Sequence, residues 1–220
     1  MVSDYPRMKP LIPRCFLWAA AFAVSALCSL VAQTPAAGPV DADVADVKFG
    51  SVRVGSNTWY EIQIDVATRA GAATDNKRFL NKVKVTLNLG IFSAKAPSGA
   101  KVPDTYYRAS AEAVALEATG GKTTFRFYLP PEIVKRDTLT GDQKFYLVEL
   151  SVDGKPVPLN TRTHITTTAL PNAAALESFR GEVSSKSGVN DGILLPQHLT
   201  PLAFDNSRPY PSMIRLETTR

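Results

Sequence analysis

Residues 82–91 read KVKVTLNLGI. Val83, Val85, Leu87, Leu89 and Ile91 fall on every second position, with Lys82, Lys84, Thr86 and Asn88 between them. A side-chain period of two is that of a strand with one face in a core and the other facing outward. The same period recurs on both sides of this stretch. Tyr60, Ile62, Ile64 and Val66 alternate with Glu61, Gln63 and Asp65, and Phe125, Phe127 and Leu129 alternate with Arg126 and Tyr128. Residues 145–152 form another strand. Val47, Phe49, Val52 and Val54 make an irregular first one, with a bulge expected at Gly50. Residues 106–117 (YYRASAEAVALE) carry the Ala and Glu of a helix. Yet Tyr107, Ala109, Ala111, Ala113 and Ala115 alternate and the neighbours are strands, so a strand is expected here too.

Turn chemistry separates these runs. Gly55-Ser56-Asn57, residues 69–76, residues 94–103 and Thr140-Gly141-Asp142 read as turns or loops. Asp153-Gly154 reads as a tight hairpin turn, and Pro156 and Pro158 push the returning strand to a sheet edge. Pro130-Pro131 stops one strand and opens a helical turn over residues 132–136. No long helical crossover links the strands, which argues against a parallel α/β sheet. About seven strands at this spacing predict an all-β fold, an immunoglobulin-like antiparallel β-sandwich over residues 44–168. Residues 169–220 read as a short helix followed by an extended tail. Asn172 caps the helix over residues 173–184, with Leu176, Phe179 and Val183 on one face. The tail is spaced by prolines, and Leu194, Leu195, Leu199, Leu202 and Phe204 are expected to pack on the sandwich.

The first 32 residues stand apart. Arg7, Lys9 and Arg14 precede an unbroken apolar stretch over residues 15–31, and Ala32-Gln33-Thr34-Pro35 follows it. This is the layout of a secretory signal peptide, residues 1–32, with a cut after Ala32, Ala36 or Ala37. The competing reading is an uncleaved membrane anchor, since the stretch matches the shortest spanning helices. Residues 33–43 read as a flexible leader. The expected place is therefore the periplasm or cell surface of a bacterium, with membrane contact only if the signal is retained. Cys15 and Cys28 are the two cysteines, and both lie in the 1–32 signal segment. The mature chain then holds itself together by burial alone, without disulfides, thiol chemistry or cysteine-based zinc. The net charge of +5 falls to about +3 once three basic residues and Asp4 leave with the leader, which speaks against nucleic acid as a partner.

Chemical motifs are sparse. Gly120-Gly121-Lys122-Thr123 resembles the end of a phosphate loop, but Leu116 stands where the first glycine belongs and a strand follows, so a hairpin turn is expected. His164 and His198 have no clustered ligands and are expected at the surface or under the tail. Asp41, Asp43, Asp46 and Asp65 lack the glycine and distal glutamate of a calcium loop and read as solvated charge. Lys77, Arg78, Lys82 and Lys84 read as a solvated basic face. No G-x-S-x-G elbow is present. No catalytic, cofactor or metal residue is assigned, and no enzyme activity is expected. Among the aromatics, Trp59 shares the outward phase of Glu61. It is the one candidate binding residue, either for stacking on a sugar or as a surface covered by the tail.

Three stretches carry a resemblance: YYRASAEAVALEA at 106–118, KFYLVELSVDGKPVP at 144–158 and NDGILLPQHLTPLAF at 190–204. Together they resemble the exported immunoglobulin-like proteins associated with the type IV pilus genes of verrucomicrobial bacteria. The resemblance spans roughly residues 45–216 and implies a β-sandwich without catalytic residues, with envelope or pilus proteins as partners. The lack of a pilin-type leader fits an accessory protein better than a pilin subunit. The expected function is thus a non-enzymatic exported interaction or assembly protein of the cell envelope. The alternative is a carbohydrate-binding module using exposed aromatics.

Overall fold

A computed structural model describes residues 41–69, 79–141, 143 and 145–214. The signal segment, most of the 33–43 leader, most of the 69–76 loop, Lys77 and Arg78 lie outside the described residues. Residues 82–91 fall within β3 (Phe79–Ile91), and Val83, Val85, Leu87, Leu89 and Ile91 are all fully buried. The other strands are β1 (Ala42–Val54), β2 (Asn57–Thr68), β4 (Thr105–Glu117), β5 (Lys122–Leu129), β6 (Phe145–Val152), β7 (Lys155–Pro156) and β8 (Leu195–Pro196). One four-stranded sheet has the order β1-β2-β5-β8 and the other β4-β3-β6-β7. All the pairings are antiparallel. In immunoglobulin lettering β1, β2 and β5 are A, B and E, and β4, β3, β6 and β7 are C′, C, F and G. The expected sandwich is therefore present. The seat of strand D beside E is taken by β8, which comes from the tail. Residues 106–117 are strand, as alternation rather than helix propensity indicated.

The turn residues behave as their chemistry dictates. Asp153 and Gly154 both take positive φ, 50° and 75°, which closes the β6–β7 hairpin with the twist that adjacent strands need. Pro131 opens α1 (Pro131–Asp137). The Gly120-Gly121 turn is not a hairpin. It carries the chain from β4 in one sheet to β5 in the other, with Gly120 at φ 84°.

The first strand differs from expectation. It begins at Ala42, inside the stretch read as leader, because Ala42 and Val44 are buried in the core. The register shift falls between Val44 and Asp46, not at Gly50. Pairing then runs unbroken to Val54, so Val47 and Phe49 face the core and Val52 and Val54 face outward. They are kept from water by the tail, through a cluster of Val52, Tyr128 and Leu202 against which Val54 and Trp59 pack.

The outward face of β3 is open to solvent only near its start, where Lys82 is exposed and Lys84 half-buried. Further along that face Thr86 and Asn88 are buried, because α2 (Ala173–Lys186) lies over the β4-β3-β6-β7 sheet. Asn172 caps α2 by accepting from the Ala175 N–H at 2.9 Å. Leu176, Phe179 and Val183 join Tyr106, Leu147 and Ile165 in a second core. Gly90 makes the close approach possible. A Cβ there would stand 2.8 Å from Pro103 Cγ and 3.0 Å from Phe179 Cε2. Gly90→Ala should therefore lower stability by about 1–3 kcal/mol in denaturant melts, as overpacking does. An unchanged melt would show that α2 is not seated on β3.

After α2 the chain becomes a strap. β8 pairs with β5, and beyond it Met213 bridges to Ala113 of β4. Val114 donates to the Ser212 carbonyl (2.8 Å) and Ile214 to that of Glu112 (2.7 Å). One segment thus covers an edge of each sheet. Of the tail side chains expected inside, Leu194 and Leu202 are buried and Leu195 is half-buried. Leu199 (56% exposed) and Phe204 (90%) are not. The strap turns there through short 3₁₀ segments at Gln197–Leu199 and Pro201–Phe204, in which residues three apart share a side. Seating Leu202 inward turns Pro201 and Phe204 out together.

Candidate functional site

A cleft of about 530 Å³ opens at one end of the sandwich. Three separate segments line it: Ser93 to Thr105 between β3 and β4, the end of α1 with Arg136 and Asp137, and the end of α2 with Lys186, Val189 and Asn190. Arg136 donates from Nε to Asp137 Oδ1 (2.9 Å) and from Nη2 to Asp137 Oδ2 (2.6 Å) and the Tyr107 hydroxyl (3.0 Å). The Asp137 side chain is almost wholly buried, so this pairing supplies the charge compensation its burial demands. Lys186 is ion-paired with Glu182 and sits 5.6 Å from the centre of the Tyr106 ring. Asn190 donates to the Tyr106 carbonyl at 2.9 Å. The Tyr106 hydroxyl is buried without a hydrogen-bond partner among the described residues. Burial, then the charges of Glu182 and Asp104, push its pKa up to about 12.

Asp104 stabilises the loop rather than offering a free charge. It accepts from the Ser93 backbone N–H at 2.8 Å and from the Ser93 hydroxyl. Burial opposes its ionisation, but those two donors outweigh burial and hold it below the ordinary 3.8. At Asp65 burial is likewise outweighed, by hydrogen bonds from Thr124 (2.7 Å) and Lys48 (3.1 Å). A depressed carboxylate stabilises the fold above its unfolded pKa, and that contribution disappears as pH falls through the folded value. Denaturant melts should therefore show stability declining below about pH 4, with a shallower decline in Asp104→Asn. Equal acid limbs in the variant and the parent would contradict the role of Asp104.

The residues singled out in the sequence lie apart from this cleft. Trp59 is half-buried on the outer face of β2, against the cluster formed with the strap. His164 is not at the surface. It is 0% exposed, its Nε2 lies 2.7 Å from Asp43 Oδ1, and Asn160 donates to Asp43 Oδ2 at 3.1 Å. Asp43 thus ties the start of β1 to the segment after β7, and is not solvated leader charge. Asp46 and Asp65 share Lys48. His198 lies beside Tyr210 and Met213 of the strap, where burial lowers its pKa. Lys82 sits at φ 48°, a left-handed kink within β3.

A second polar cluster, which the sequence did not reveal, lies beneath the strap. Glu61 is only 4% exposed. It accepts from the Tyr128 hydroxyl (2.7 Å), Gln63 (2.8 Å) and Arg208 (3.3 Å), with Arg126 at 3.7 Å. Gln197 donates to the carbonyls of Leu202 (3.1 Å) and Arg208 (2.7 Å). The group holds the strap down rather than opening to solvent.

Among the described residues no three His, Cys, Asp or Glu side chains cluster as a metal site would require, and no helix is long and apolar enough to cross a membrane. No family model matches the chain. No curated protein matches it either. Among solved structures, a crystal structure of a protein from Akkermansia muciniphila aligns with a TM-score of 0.52, covering 80% of this chain and 93% of that one at 15% identity. Akkermansia is a verrucomicrobial genus. At that identity the likeness is one of fold, and it supports the β-sandwich.

Proposed function

We propose that this chain is an exported, non-enzymatic interaction protein of a bacterial envelope, working in or beside a pilus assembly. The observation that carries the reading is the state of the cleft's charged groups. Asp137 is held by Arg136, Asp104 by Ser93 and Lys186 by Glu182. Groups committed in this way suit recognition by shape and charge rather than bond making. The leader, the cysteine-free mature chain and the fold-level likeness to a verrucomicrobial protein support the same reading.

In the native host the mature N-terminus should be Gln33, Ala37 or Gly38, recovered from periplasm or cell surface. Cross-linking in intact cells should join the chain to envelope or pilus components. An intact chain starting at Met1 or Val2 in the membrane fraction would replace cleavage with anchoring. Recovery in the cytosol would overturn the proposal.

A further inference from the structure

We propose that the cleft between α1, α2 and the β3–β4 loop binds an acidic peptide segment of a protein partner. The proposal rests on the interaction-protein reading above and names the chemistry of that partner. Lys95, Arg136 and Lys186 stand on the lining, one from each segment. Three anions, Asp104, Asp137 and Glu182, stand beside these cations, but their oxygens leave some of the cationic donors free. Asp137 engages Nε and Nη2 of Arg136, which leaves Nη1 without a hydrogen bond among the described residues on a side chain half open to solvent. The Lys95 ammonium has neither ion pair nor hydrogen bond among the described residues, and Lys95 is exposed. Asp104 is turned back on its own loop by Ser93. The recess therefore presents the unpaired Lys95 ammonium and one free donor, Nη1, of the Arg136 guanidinium, and carboxylates are the groups that such donors bind most strongly.

The rest of the lining separates peptide from sugar acid. Sugar rings are held by stacking on open aromatic faces, and Tyr106, the one aromatic of the lining, is 1% exposed beneath Lys186. Val189, 89% exposed at the rim, offers instead an apolar contact for a peptide side chain. The volume, about 530 Å³, falls in the range of small-ligand sites and accommodates a short run of residues.

The test is an amide-resolved NMR titration of the chain from Gln33 onward with N-acetylated penta-glutamate amide. Penta-glutamine amide and oligogalacturonate are run separately. Penta-glutamate should move the signals of Lys95, Arg136 and Asn190, with affinity falling as salt is raised. Lys95→Glu should weaken it about tenfold, while its remaining spectrum reports an intact fold. Penta-glutamine should move none of these signals. Absence of any shift, equal shifts from penta-glutamine, or an unweakened Lys95→Glu would overturn the proposal. So would binding of oligogalacturonate in place of penta-glutamate. Any of these results would leave the N-terminal and cross-linking tests unaffected, so the ligand class and the broader reading fail separately.

Discussion

Leu87→Ala is expected to lower the free energy of unfolding by about 2–5 kcal/mol. Leu87 is fully buried in the middle of β3, opposite Ala109 of β4 and Val148 of β6. Strands hold it on both sides, so the site has little freedom to collapse around the lost methyl groups. Its neighbour Thr86 is also buried, but on the other face, where its hydroxyl lies 2.9 Å from that of Ser110. Thr86→Ala removes one hydroxyl pair and a methyl at the edge of the second core, a loss of about 1 kcal/mol. Urea melts of the two variants measure the difference. Equal effects would mean that β3 does not present Leu87 to the inter-sheet core.

Deletion of the strap from Leu195 onward should cost about 3–5 kcal/mol, chiefly the lost burial of Leu202 and of the half-buried Leu195 and Met213. It takes Arg208 from Glu61 and leaves a carboxylate that was built into a buried network with Arg126 and Tyr128. It also removes Leu202 from the cluster that shelters Trp59 and bares the outer edges of β4 and β5. Trp59 is the only tryptophan from Gln33 onward, so its emission should shift to the red in the truncated chain. Limited proteolysis should quicken as well. A truncated chain with the parent's melt and emission would show that the strap does not dock on its own sandwich. Glu61→Gln in the full chain provides a milder version, keeping the shape and removing the charge that Arg208 meets.

Local patterns carried the architecture. Alternation placed β2, β3, β5 and β6, Asp153-Gly154 placed the last hairpin, and Asn172 with Leu176, Phe179 and Val183 placed α2. What escaped depended on pairing between distant segments. The bulge in β1 is set by its register on β2, so the side of Val52 and Val54 could not be read from β1 alone. Asp43 and His164 lie far apart in sequence and meet only once the segment after β7 returns to β1. Glu61, Tyr128 and Arg208 each look like surface residues in their own stretch. Burial of Glu61 and Tyr128 becomes intelligible only when the strap, which brings Arg208, covers the face they share. The cleft escaped for the same reason, since its cations come from three loops or helix ends that no spacing rule connects.

The strap is also the last part of the described fold to be made. β5 is complete at Leu129, but its outer edge waits for β8, and the edge of β4 waits for Met213. At about 5–20 residues per second, synthesis leaves those two edges bare for several seconds. Throughout that interval the nascent sandwich carries open strands of the kind that join with other chains. A chain that loses its C-terminal end to early termination or a protease remains in that state permanently. The strap therefore withdraws both edges from neighbouring chains, and it can do so only once it is in place.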